Sequence, residues 1–221
     1  MDPSTLFYKQ ELYSQFSKIG KAVGNANRFE LLEQISQGEC SVEALVSLTG
    51  LSFANTSQHL RHLHQAGLVL TRKEGQRVFY RLADQTIVDL LGMLRKIAQN
   101  NLAEVDKLIT TYLTVKDDLE PLIAKDLLDK INNKEVTVLD IRSPNEYERG
   151  HLPGAINIPL EELEKHLGEL EKDREIIAYC RGPYCILSFE AVKRLRELGF
   201  SSRRLQNGFP EWKHAGLPIE T

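Results

Sequence analysis

The sequence predicts two folded halves, a mainly α half with a β-hairpin followed by an α/β half. Three observations carry this. Apolar residues recur at helical spacing through most of residues 1–113, interrupted by two alternating runs about a Gly-containing turn. Beyond residue 119, short apolar runs suited to buried parallel strands alternate with helix-patterned ones. Between the halves lies a polar break, TVKDD, at residues 114–118. The domains are therefore read as 1–115 and 119–221, and 221 residues suffice for two small domains.

In the first half, LFYKQELYSQFSKIGKAV has the spacing of a helix, Asn25-Ala26-Asn27-Arg28 interrupts it, and FELLEQISQ is a second helix. SVEALVSLTG is a third, with Ser41 as N-cap and Gly50 as the stop. Ser52 caps a fourth, from Phe53 to about Ala66, with Phe53, Thr56, Leu60 and Leu63 on its core face. LVLTRKEGQRVFYRL is a hairpin turning at Lys73-Glu74-Gly75-Gln76, in which Val78, Tyr80 and Leu82 alternate with Arg77, Phe79 and Arg81. One long helix, about Thr86 to Leu113, closes the half.

Two short helices, a Gly-containing turn and a hairpin are the grammar of a winged helix-turn-helix. The fourth helix turns Asn55, Gln58, His62 and Gln65 outward, flanked by Ser57, His59 and Arg61. Such short polar and basic side chains suit base edges and phosphates in a major groove. Arg72, Lys73 and Arg77 on the hairpin are placed for flanking backbone. NANRFELLEQI, SVEALVSLTGLSFANTSQHLRHLHQAGLV and RKEGQRVFYRL together resemble the ArsR family of bacterial transcriptional repressors, over roughly residues 15–100. The resemblance implies a homodimer built from the first and last helices of the domain, bound to double-stranded operator DNA. Many members sense metals through cysteines on the helix that holds Ser41-Val42-Glu43 here. Serine and glutamate occupy those positions, and the helix 86–113 contains no His or Cys. No metal site is expected. Cys40 lies alongside as a small semi-buried residue or a thiol partner.

The second half carries the cysteine pair. VTVLDI and REIIAYC read as strands, and LEPLIAKDLLDKI, PLEELEKHLGEL and the run after Cys185 as helices. In YCRGPYC, a strand ends at Cys180 and a helix starts near Pro183 or Tyr184. The free N–H groups and dipole of that helix favour an anion at the bend, which activates a thiolate. Arg181 adds charge and Gly182 gives the bend its freedom. VLDIRSPNEYERGHLPGAINIP and NGFPEWKHAGLPIE flank this loop, and the three segments resemble the rhodanese (sulfurtransferase) domain over residues 119–221. That resemblance implies a five-stranded parallel sheet wrapped by helices. It also implies Cys180 as a persulfide-forming nucleophile, with Arg181, Gly182, Pro183, Tyr184 and Cys185 wrapping the sulfur by backbone N–H groups. Asp140, Arg142, Glu146, Trp212 and Gly216 lie in the flanking motifs and brace the fold.

The loop departs from the common rhodanese pattern at Cys185, where an Arg or Thr is usual. The lost charge weakens the case for a dianion such as thiosulfate. The gained thiol could resolve a persulfide on Cys180 into a disulfide, or it could simply pack under the helix.

The bulk composition is that of an ordinary globular protein, with 42% hydrophobic residues and a net charge of -3. Residues 1–115 carry 12 Lys+Arg against 11 Asp+Glu and residues 116–221 carry 16 against 20, so any DNA face must be local rather than global. No apolar run approaches the ~20 residues needed to span a bilayer, and the N-terminus is too polar for a signal peptide. A cytoplasmic protein without cofactor is expected, its cysteines reduced. The sequence thus describes a DNA-binding regulator that senses or transfers reactive sulfur, with thiosulfate, polysulfide or a persulfide as small partner. Its alternatives are an active sulfurtransferase that only regulates itself, and a repressor with an inert rhodanese module.

Overall fold

The computed structural model describes residues 2–114 and 120–221. By internal contacts the chain divides into two units, residues 1–91 and 92–221. The polar break expected to separate the halves lies, from residue 115 on, outside the described residues.

The first unit begins with α1 (Pro3–Val23) and α2 (Ala26–Ser36). Helix α2 starts earlier than the sequence suggested. Asn25 is its N-cap, accepting from the Arg28 N–H, so residues 26–28 form its first turn rather than an interruption. A two-residue strand β1 (Cys40–Ser41) leads into α3 (Val42–Thr49), where the Ser41 hydroxyl caps the start and Gly50, at φ 68°, ends it. Helix α4 (Phe53–Gln65) is capped by Ser52 and buries Thr56, Leu60 and Leu63. Phe53, expected on that buried face, is instead exposed, because it sits in the first turn beyond the reach of the core. Strands β2 (Val69–Glu74) and β3 (Arg77–Leu82) form the hairpin, and β1 pairs with the far side of β3. Leu31, Leu32, Ile35, Leu45, Leu60 and Leu63 form the buried centre. Each such side chain contributes about 1.5–3 kcal/mol by leaving water.

Helix α5 (Thr86–Asn101) ends short of the expected Leu113. At Leu102 the backbone becomes extended (φ -114°, ψ 104°), and α6 (Ala103–Ile109) resumes beyond it, finishing in a π-helical turn over Thr110–Thr114.

The remainder of the second unit is an α/β layer structure. Helix α7 (Ala124–Asn132), β4 (Val136–Asp140), the short α8 (Pro144–Tyr147) and β5 (Ile156–Asn157) come first. They are followed by β6 (Glu175–Tyr179), α9 (Ile186–Glu197), β7 (Ser202–Arg204) and α10 (Phe209–His214). The strands form a parallel sheet in the order β5-β4-β6-β7. Four strands are formed among the described residues rather than the five expected. Between residue 120 and α7 the described residues contribute a single parallel bridge, Leu122 to Leu205. PLEELEKHLGEL forms two 3₁₀ segments, Leu160–Lys165 and Leu167–Glu169, rather than a helix of α type. Along β6, Ile176 and Ala178 face one core with Leu139, Val192 and Leu195, while Ile177 and Tyr179 face the other with Phe209 and Trp212. Both faces are covered, which is why the strand reads as a continuous apolar run.

Candidate functional site: a two-thiol loop at the end of β6

Strand β6 ends at Tyr179, and Cys180 follows it directly, at the point where the chain turns out of the sheet. Its carbonyl accepts from the Phe209 N–H at 3.1 Å, tying the loop to the start of α10. The Cys185 N–H donates to the Gly182 carbonyl at 3.2 Å and closes the turn. Helix α9 begins at Ile186, later than the Pro183 or Tyr184 start expected, so Cys185 is its N-cap residue. The Ser188 hydroxyl and N–H both donate to the Cys185 carbonyl and hold the cap in place.

The two loop cysteines are free thiols whose Sγ atoms lie 2.6 Å apart. Cys180 is buried, with 1% of its surface exposed, whereas Cys185 is half-buried. The Cys180 thiol is pushed well up, first by its hydrogen bond with Cys185 and then by burial. The Cys185 thiol is lowered to about 6, first by that same hydrogen bond and then by the Leu187 amide and the Arg181 charge, against the cost of burial. Opposite shifts across one shared hydrogen bond favour a singly ionised pair, with the negative charge drawn toward Cys185.

Arg181 does not project freely over the sulfurs. Its Nε and Nη2 each donate at 2.7 Å to the two carboxylate oxygens of Glu146. Glu146 is 3% exposed, and its carboxyl accepts from the Ser143 hydroxyl and N–H at the start of α8. Burial alone would raise this carboxyl, but the pairing with Arg181 and Ser143 holds it below the usual range. Behind it, the buried Arg142 guanidinium pairs with Asp140 at 2.7 Å, and Tyr179 Oη donates to the same carboxylate at 2.5 Å.

Several contributors to this site were not named from the sequence. A Cβ on Gly208 would lie 2.3 Å from the Gly182 nitrogen and 2.4 Å from the Arg181 carbonyl carbon, so the cysteine loop packs directly on a residue that must lack a side chain. Glu211 accepts from the Gly208 N–H and pairs with Arg95 of α5 at 3.0 Å. Tyr184 Oη donates to Gln99 Oε1 at 2.8 Å. The GFPEW run was the available signal for Gly208 and Glu211. Nothing in the sequence pointed to Arg95 or Gln99.

In the first unit, Asn55, Gln58, Arg61 and His62 are exposed on α4, with Ser57 half-buried among them. His59 is half-buried and faces the Asn27 amide at 3.3 Å, and burial followed by the Arg28 charge lowers its pKa. On the hairpin, Lys73 and Arg77 are exposed. Arg72 is engaged by Glu39 at 2.7 Å and Glu74 at 2.5 Å, and its guanidinium lies over the Phe79 ring. Cys40 is buried, its thiol donating to the Gly38 carbonyl at 3.4 Å.

Helix-turn-helix, wing and a strand-loop-helix thiol site are the parts of a DNA-binding regulator fused to an α/β module that carries a cysteine loop. The bacterial regulatory protein arsR-family model matches residues 25–71, and the rhodanese-like domain model matches residues 123–215. An HTH-type transcriptional regulator of Mycobacterium tuberculosis is 39% identical over 96% of this chain and 93% of its own length. A sulfurtransferase of Allochromatium vinosum is 32% identical over 40% of this chain and 81% of its own. The structure of a homodimeric winged helix-turn-helix DNA-binding domain from Mycobacterium bovis is 35% identical, covering 42% of this chain and 87% of that one with a TM-score of 0.40. The chain belongs to the ArsR-type transcriptional regulators that carry a C-terminal rhodanese domain.

Proposed function

We propose that this regulator is a cytoplasmic repressor that responds to sulfane sulfur through the Cys180–Cys185 pair. The observation that carries the reading is the placement of two free thiols 2.6 Å apart at the N-cap of α9. A thiolate beside a thiol is arranged for attack followed by resolution.

In the first step Cys180 attacks the terminal sulfur of a persulfide R–S–S–H. Its proton passes to the Cys185 thiolate, and RS⁻ leaves with the electron pair of the broken S–S bond. Cys180 then carries the persulfide. In the second step the Cys185 sulfur attacks the inner sulfur of that persulfide and expels H₂S. The two thiols are oxidised to a disulfide, and the sulfane sulfur is reduced to sulfide. Replacing a charged thiol pair by a neutral bridge changes the charge and the local geometry at the start of α9, and that change biases the DNA-binding state.

DNA is engaged by Asn55, Ser57, Gln58, Arg61 and His62 on α4, with Lys73 and Arg77 on the wing. A homodimer covers the exposed apolar side chains of α1, among them Phe7, Tyr8, Tyr13 and Phe16, and of α5 and α6, among them Met93, Ile97 and Leu108.

Mass spectrometry of the full chain after polysulfide treatment, paired with operator binding, tests the reading. The expected result is addition of one sulfur, then a Cys180–Cys185 bridge with its loss, accompanied by a change in DNA affinity that Cys180→Ser abolishes. Equal affinity of treated and untreated protein would remove the regulatory step. A second reading, catalytic sulfur transfer, draws on the likeness to the Allochromatium sulfurtransferase. It predicts sustained turnover of a sulfur donor in the presence of an acceptor thiol.

A further inference from the structure

Pro183 and Tyr184, between the two loop cysteines, border a cleft of about 580 Å³ that the two-thiol chemistry does not use. It lies within the second unit. Pro183 and Tyr184 of the loop form one side, and Arg95, Lys96, Gln99 and Asn100 of α5 form another. Asn207 and Glu211, from the segment that packs on the loop, close a third.

The chemistry of this lining is specific. Arg95 and Glu211 pair at 3.0 Å with side chains 13% and 19% exposed, so they form a fixed and largely neutralised wall. Lys96 is exposed on the next position of the helix and forms no ion pair among the described residues. The cleft therefore carries a surplus of one positive charge. Carboxamides of Gln99, Asn100 and Asn207 surround it, offering paired donors and acceptors. Gln99 Oε1 accepts the Tyr184 hydroxyl, which leaves its NH₂ group to donate into the cleft. Apolar surface, that of Pro183 and the Tyr184 ring included, lies between these polar groups, so the cleft suits a ligand with both polar and alkyl parts. A bare sulfur anion would fill a small fraction of the space, since clefts of this size hold molecules of many heavy atoms.

We propose that this cleft binds the organic carrier of the sulfur donor, a carboxylate-bearing peptide-type persulfide, with Lys96 on the carboxylate and the carboxamides on the peptide groups. The proposal rests on the sulfur-responsive reading above and names its donor class. Bound there, the carrier holds its sulfane sulfur beside the loop that bears both thiols, raising its effective concentration at Cys180.

S-Methylglutathione, a thioether with the same peptide and carboxylate groups and no sulfur to transfer, is the probe. It is titrated calorimetrically into the reduced full chain and into Lys96→Gln and Asn100→Asp, both exposed helix positions. The expected result is saturable one-site binding, weakened about tenfold in each variant, as loss of one charge-assisted contact or addition of one repulsive charge predicts. No heat of binding at 10 mM probe, or equal affinity in all three proteins, would overturn the cleft. The thiols of the wild-type chain are read separately, by mass spectrometry after inorganic polysulfide. Reactive thiols without probe binding would sink the cleft alone. Thiols inert to polysulfide would sink the sulfur reading and the donor role of the cleft with it.

Discussion

Arg181 grips Glu146 across 35 residues of sequence, each of two guanidinium nitrogens donating at 2.7 Å to one carboxylate oxygen. The cation nearest the thiols is thereby held in one orientation, and its field is reduced by the carboxylate it faces. Glu146→Gln removes the opposing charge and leaves Arg181 to act on the sulfurs alone. The thiolate should gain, and the pH midpoint for iodoacetamide alkylation of Cys185 should fall. Breaking a buried pair should also destabilise the domain by about 3 kcal/mol, read as a lower midpoint in denaturant. An unchanged alkylation profile would show that Arg181 does not govern the thiols.

The lowered Cys185 and raised Cys180 give stability a defined pH course. Cys185 ionises near 6 when folded and near the ordinary thiol value when unfolded, so the unfolded chain binds more protons between those values and stability rises with pH across them. Cys180 behaves oppositely. Its folded value lies well above the ordinary one, so the contribution it makes is fully present below the unfolded thiol pKa and is lost as pH rises beyond it. The reduced protein should therefore gain stability from about pH 6 to 8.5 and lose it above. The difference in Tm between wild type and Cys185→Ser, followed across pH, reads the first limb. Oxidation to the bridge should abolish both.

Gly208 and Gly182 face each other and should answer differently to alanine. At Gly208 the backbone is extended and tolerates any residue, so the obstacle is contact alone: the new carbon would lie 2.3 Å from the Gly182 nitrogen. Backbone cannot swing aside as a side chain does, and the cysteine loop must move. Gly208→Ala should cost at least the 1–3 kcal/mol typical of overpacking and separate the two sulfurs, seen as slower bridge formation. At Gly182 the new carbon would meet only the end of the Arg95 side chain, at 3.4 Å. Gly182→Ala should fold with near-normal Tm.

How much of this was legible depended on the range of the interaction. The caps at Ser41 and Ser52 and the stop at Gly50 act within one turn, and the sequence marks them. The position of the cysteine loop between strand and helix was equally local. The leucines at 160, 163, 167 and 170 misled because the spacing of three within each of the pairs 160/163 and 167/170 serves a 3₁₀ turn as well as an α-helix. The break at Leu102 has no glycine or proline to announce it. Contacts joining Arg181 to Glu146, Tyr184 to Gln99 and Gly208 to Gly182 link segments brought together only by the fold, and no periodicity encodes them. Arg72 shows the converse. Its type and place suggested a DNA contact, while its carboxylate partners are decided by how the hairpin meets Glu39.

That last relationship separates the basic residues of the DNA-binding unit. Arg72 is shared between Glu39 and Glu74, so its charge is largely spent before any phosphate arrives. Arg61 on α4 and Lys73 on the wing are exposed. Each cation that neutralises a phosphate releases counterions and adds about 0.9 to the slope of log affinity against log salt. Arg61→Ala and Lys73→Ala should each lower that slope by about one, uniformly across sequences. Arg72→Ala should change it by clearly less. Gln58→Ala should leave the slope intact and instead cost about 1–3 kcal/mol on operator alone, the signature of a base-edge contact. Fluorescence anisotropy with operator and scrambled duplexes over a salt series measures all four. A full unit of slope lost at Arg72 would mean that its carboxylate partners release it on DNA.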